Sequence, residues 1–167
     1  MSDNNLEKPS SGTPYDDVYR TLATDCPWLI IPVVNETFRK NLKGDEKIFT
    51  LENELFLYRQ NGNQLERITD SNLIIDSIRY HFECQSTVDN SMVIRFFEYD
   101  SQLALQDSDL TGNKLTVNFP NTAVLYLRHN QNTPDTMTIK IKVPNDECSY
   151  EIPVIKVNTY SVDEIFK

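Results

Sequence analysis

The chain has 167 residues, 39% hydrophobic and 25% charged, with 25 acidic against 16 basic side chains and a net charge of −9. That length carries about one domain with a core of its own, and the acidic balance argues against a simple nucleic-acid binder, whose affinity for phosphate comes largely from Lys and Arg. It does not exclude a chain whose carboxylates hold a cation and whose basic residues cluster locally.

The opening stretch MSDNNLEKPSSGTP is polar, holds two prolines and has no apolar run. Residues 1–13 are therefore expected to be a disordered lead-in, not a signal peptide or a membrane anchor. Residues 14–167 read as a single domain. No segment approaches the roughly 20 apolar residues that a membrane span requires. Cys26, Cys84 and Cys148 are odd in number and lack a metal-ligand spacing, so they read as reduced thiols of a cytoplasmic protein.

From Tyr15 to Thr24, Tyr15, Val18, Tyr19 and Leu22 fall at helical spacing, with acids near the start. A second helix is expected from Pro27 through WLIIPVVNETFRKNL, with Pro32 kinking it or delaying its regular start. Glu36 reads as an exposed acid on that helix. The run IFTLENELFLY predicts one or two short strands, followed by turn chemistry in RQNGNQLE. With four glycines and neither a P-loop nor a dinucleotide fingerprint, the chain offers no site for a nucleotide cofactor.

Residues 67–85, RITDSNLIIDSIRYHFECQ, read as a hairpin turning at Asp76-Ser77, pairing residues whose numbers sum to 153 and setting Asp70 opposite Glu83. Side chains alternate faces along a strand. One face then carries Leu73, Ile75, Ile78, Tyr80, Phe82 and Cys84; the other carries Asp70, Asn72, Arg79, His81, Glu83 and Gln85, with Ile74. A slip of one residue would exchange the faces, so the register is well specified. Opposed carboxylates destabilise a sheet unless a hard cation lies between them or both are solvated, and both readings stand on spacing alone. His81 reads as a hydrogen-bonding neighbour of the site.

A polar connection at 86–91, with Asp89, Asn90 or Ser91 as cap, leads into a helix ending near Gln106. Its Met92, Val93, Phe96, Phe97, Leu103 and Ala104 suggest burial on the sheet. Arg95 and Tyr99 are one turn apart: either a phosphate-binding pair, or an Arg95–Glu98 surface pair beside a Tyr99 packed in the core. Beyond Gly112 the period becomes two. LTVNF and AVLYLRH are strand candidates, and TMTIKIKVP pairs with SYEIPVIKV, whose Pro153 points to an edge strand or a bulge. Lys140, Lys142, Lys156 and Arg128 form the one concentration of positive charge, which reads as a solvated strand face. At SVDEIF, Ser161 is placed to cap a helix that begins where the sequence stops, so the domain is expected to continue beyond it.

The order of an Asp, a hairpin, Glu-x-Gln and a helix with Arg and Tyr one turn apart resembles the PD-(D/E)XK nuclease superfamily. The blocks YDDVYRTL, IIPVVNETF, RITDS, YHFECQST, MVIRFFEYDSQLAL and AVLYLRHN together resemble the bacterial PD-(D/E)XK nuclease family transposases, relatives of the recombination-promoting (Rpn) nucleases. The resemblance implies an α/β fold with a restriction-endonuclease-like core, in which helices flank a mixed central sheet that is followed by an additional C-terminal β section. It implies Mg²⁺-dependent (or Mn²⁺-dependent) endonucleolytic hydrolysis of DNA, linked to mobile elements or recombination. Asp70 and Glu83 become metal ligands, with Glu36 completing the site. Gln85, where the superfamily most often has Lys, becomes the water-orienting residue, and Arg95 and Tyr99 steady the phosphate. Thr69 stands where the Pro of the superfamily's name would be. The expected partner is DNA, with a homo-oligomer left open, and without a membrane. A second function fits the residues too: a lapsed nuclease fold serving as an interaction or assembly module, in line with the net charge and with Gln85.

Overall fold

The computed structural model describes residues 21–22, 24–51 and 71–157, and the backbones of 54–58 and 64–68. Asp70, the lead-in, most of the helix expected from Tyr15 and the helix start expected at Ser161 lie outside the described residues. Residues 21–22 and 24–25 are helical, and the Cys26 N–H donates to the Leu22 carbonyl at 2.9 Å.

A 3-10 turn at Pro27–Leu29 precedes helix α1, Ile30–Phe38. Pro32 delays the regular helix rather than bending it. It falls in the first turn, where a backbone N–H has no intrahelical partner to lose. The helix stops at Phe38, short of the expected Leu42, because Arg39 turns left-handed (φ 52°). The Asn35 amide then pins the exit, bonding both the N–H and the carbonyl of Leu42 at 2.7 and 2.9 Å.

Ten strands occur among the described residues: β1 (Ile48–Thr50), β2 (Glu54–Tyr58), β3 (Gln64–Ile68), β4 (Ser71–Ile75), β5 (Ile78–Gln85), β6 (Asp109–Thr111), β7 (Lys114–Thr116), β8 (Asn121–Tyr126), β9 (Thr136–Val143) and β10 (Asp146–Lys156); helix α2, Met92–Gln106, follows β5. Six strands form a mixed sheet in the order β1-β4-β5-β8-β10-β9, while β2-β3 and β6-β7 are separate hairpins. The expected register holds: Ser71 pairs with Phe82, Asn72 with His81 and Leu73 with Tyr80. Asp76 and Ser77 both have positive φ (45° and 70°), the backbone of a two-residue turn whose twist matches the strands it joins. The strand after the expected turn begins earlier than expected. Gln64–Glu66 is strand, paired with β2, instead of loop.

β5 runs parallel to β8, and parallel neighbours need a crossover, which α2 supplies. Helices α1 and α2 cover opposite faces of the sheet. Ile30, Ile31 and Val34 of α1 pack with Leu73, Ile75, Tyr80, Phe82, Ala123 and Leu125. Met92 and Phe96 of α2 pack with Val124, Tyr126, Met137, Ile139 and Ile152. The β9–β10 hairpin forms as expected, but β10 is an interior strand. Pro153 is tolerated there because Val154 donates to Asp135 on the β9 side, so the missing N–H of the preceding residue faces β8, where pairing begins only at Val154. Among the described residues no helix is long and apolar enough to cross a membrane.

Candidate functional site

Along β5 the side chains that face α2 are Arg79, His81, Glu83 and Gln85. Their polarity suggests solvent, yet α2 covers them, and His81 and Glu83 are 0% exposed. A buried charge must be paired and hydrogen-bonded, and α2 and the neighbouring strands supply the partners.

The pairing runs as a chain. Asp100, itself 0% exposed on α2, lies 2.9 Å from His81 Nδ1, and Glu83 Oε1 lies 3.1 Å from His81 Nε2. Each ring nitrogen thus has a carboxylate oxygen within hydrogen-bond reach, and a doubly protonated ring donates to both. Burial alone pulls the His81 pKa down, but the hydrogen bonds and charges of Asp100 and Glu83 more than offset it and carry the value up to about 9. Beyond Glu83, Arg95 donates from Nη2 to Oε2 at 3.4 Å, and to the Tyr99 hydroxyl over a ring 5.7 Å away. Negative and positive groups thus alternate from Asp100 to Arg95. At the far end Thr122 Oγ1 and the Tyr150 hydroxyl donate to Asp100 at 2.8 and 3.4 Å. Burial, and then the Asp100 charge, push the Tyr150 pKa up.

The chain of groups crosses the domain. Arg95, with 28% of its side chain exposed, meets solvent at one end. Thr122 and Tyr150 line a cleft of about 410 Å³, with Phe119 and Cys148, at the other. Flanking contacts hold α2 in place. Asp89 accepts from the Ser91 N–H and hydroxyl, both at 2.8 Å, just ahead of the helix, and these bonds hold the Asp89 carboxyl below its usual range. At the other end Arg79 reaches Asp107 at 2.9 Å.

The residues singled out in the sequence separate into groups. Glu83, Arg95 and Tyr99 come together, and Gln85 is half-buried at the next position on the same face. Tyr99, only 1% exposed, touches Arg95 from inside the core, and Arg95 reaches across to Glu83. Glu36 is exposed on α1, across the sheet from Glu83. Asp70 lies outside the described residues. The basic strand face is partly neutralised, Lys140 by Glu147 at 3.0 Å and Lys156 by Asp135 at 2.6 Å. Among the described residues no group of three or more His, Cys, Asp or Glu side chains could hold a metal ion. The sequence pattern does not single out Asp100, Thr122 or Tyr150. Asp100 does carry a signal, since it sits four residues after Phe96 and eight after Met92, on the apolar stripe of its helix, where an acid implies a buried cationic partner.

No protein-family model, curated protein or solved structure matches the chain.

Proposed function

We propose that the chain is a PD-(D/E)XK nuclease-like domain with a restriction-endonuclease-like core, which hydrolyses DNA phosphodiester bonds with Mg²⁺ or Mn²⁺ in a process linked to mobile elements or recombination. One observation carries the reading. Glu83, Arg95 and Tyr99 converge beneath the crossover of a parallel β5-α2-β8 unit, with Gln85 next along the same face.

The donor chemistry fits a hard ion. Carboxylate oxygens are the hard donors that such ions take, and Glu83 presents its two oxygens to His81 and to Arg95. Glu83 and Asp70 would hold the ion; Glu36, across the sheet, is left out of this set. A hard divalent ion supplies Lewis-acid charge at the phosphate and promotes the ionisation of water. The chain's own residues do the rest. Gln85 hydrogen-bonds the attacking water through its amide. Arg95, partly exposed, presents its guanidinium to a phosphate oxygen. Tyr99, buried behind it, fixes the guanidinium and does not touch the substrate.

A second reading has an observation of its own. His81 and Arg95 already neutralise Glu83, which favours a lapsed nuclease fold that serves as an interaction or assembly module. Calorimetric titration of Mg²⁺ and Mn²⁺ into the wild-type chain, Asp70→Asn and Glu83→Gln, beside nicking of supercoiled plasmid, separates the two. The nuclease reading expects binding and nicking that both variants lose. A wild-type chain that neither binds the ions nor nicks would leave the interaction module.

A further inference from the structure

We propose that Asp100 and His81 are positioning residues that set the orientation of the Glu83 carboxylate, an inference that rests on the nuclease reading. Asp100 receives donors from three strands: His81 Nδ1 on β5 at 2.9 Å, Thr122 Oγ1 on β8 at 2.8 Å and the Tyr150 hydroxyl on β10 at 3.4 Å. Its position is thereby defined by the sheet and not by α2 alone.

The His81 ring inherits that definition. Its two nitrogens are both engaged, and Phe96 and Tyr99 pack edgewise on it at centroid distances of 5.8 and 5.7 Å. Nε2 fixes one oxygen of Glu83, and the other is turned to Arg95 and the exposed end of the chain of groups. Thr122 and Tyr150 hold Asp100, and Asp100 acts on Glu83 through the ring.

Packing alone does not account for this arrangement. Apolar side chains of similar volume usually fill such a space with no loss of stability, or with a gain. What they cannot do is aim a carboxylate. Partners that hydrogen-bond a ligating group typically contribute about 10- to 100-fold in metal affinity or activity.

The test uses the full chain and measures initial nicking rates against plasmid concentration, with calorimetric Mg²⁺ titration of the same samples. Asp100→Asn is expected to lower kcat about 10- to 100-fold with KM for DNA unchanged. Thr122→Val, which removes one donor to Asp100 and keeps the shape, is expected to lower kcat several-fold in the same way, and it carries the test should Asp100→Asn not fold. A purely structural role would reduce the folded fraction and leave kcat per folded molecule unchanged. Unchanged kcat beside an active wild type overturns the positioning role alone. A wild-type chain without Mg²⁺ binding or nicking overturns the nuclease reading and the positioning role with it.

Discussion

On one side of β5, Tyr80 and Phe82 are at most 1% exposed and pack with Ile30, Ile31 and Val34 of α1. On the other side, His81 and Glu83 are just as dry and meet Phe96, Tyr99 and Asp100 of α2. The first side is held by apolar burial, which is non-directional and tolerant of repacking. The second is held by hydrogen bonds between alternating charges, each of which becomes costly when its partner is removed. A fold gains little stability from the second arrangement that it could not have from the first.

The largest effects are expected from breaking either side. Phe82→Ala leaves a cavity and Asp100→Ala leaves the His81 charge uncompensated; each should cost about 3–5 kcal/mol in denaturant unfolding. Double variants sharpen the difference between the sides. Adding His81→Leu to Asp100→Leu removes one charge of each sign and leaves the Glu83–Arg95 pair, so it should return about 2 kcal/mol or more of the loss caused by Asp100→Leu alone. Adding Leu73→Ala to Phe82→Ala should only deepen the loss.

A smaller effect is expected from pH. The folded pKa of His81, about 9, lies above its ordinary 6.5. Between those values the folded chain holds a proton that the unfolded chain has released, so the stabilisation is complete below about 6.5 and lost as pH rises through about 9. Glu83 on the same strand and Tyr99 and Asp100 on α2 face the ring, and behind them Arg95 bonds Glu83 while Tyr150 on β10 bonds Asp100. In metal-free buffer the thermal midpoint should therefore fall across that window, and His81→Gln should flatten the fall. The smallest effect is at the turn whose register keeps the two sides apart. Ser77 sits at φ 70°, and Ser77→Gly should raise stability by up to about 1 kcal/mol, strain relief being partly offset by chain entropy.

Much of the fold is legible in the amino-acid sequence. The alternation from Leu73 to Gln85 specifies the hairpin register because only one register sorts Tyr80 and Phe82 from His81 and Glu83. The same period-two logic finds the β9–β10 hairpin in Ile139 and Ile141. The site is less legible, for a physical reason. Alternation says which residues share a face and does not say what covers that face, so the partner of His81 comes from a helix position 19 residues away. Asp100 lies hidden among the apolar positions of α2, and Tyr150 in a strand 50 residues further on. Pro153 misleads for a related reason. A strand's partners can change along its length, and the missing N–H falls where the change occurs.

β5 presents α2 with a buried, charge-alternating chain in which His81 donates from both ring nitrogens. Nitrogen-detected NMR of the His81 ring in the metal-free protein at neutral pH tests it most directly. Two protonated, slowly exchanging ring nitrogens that persist until pH approaches about 9 are the predicted result. A neutral ring with one protonated nitrogen at neutral pH would contradict the account.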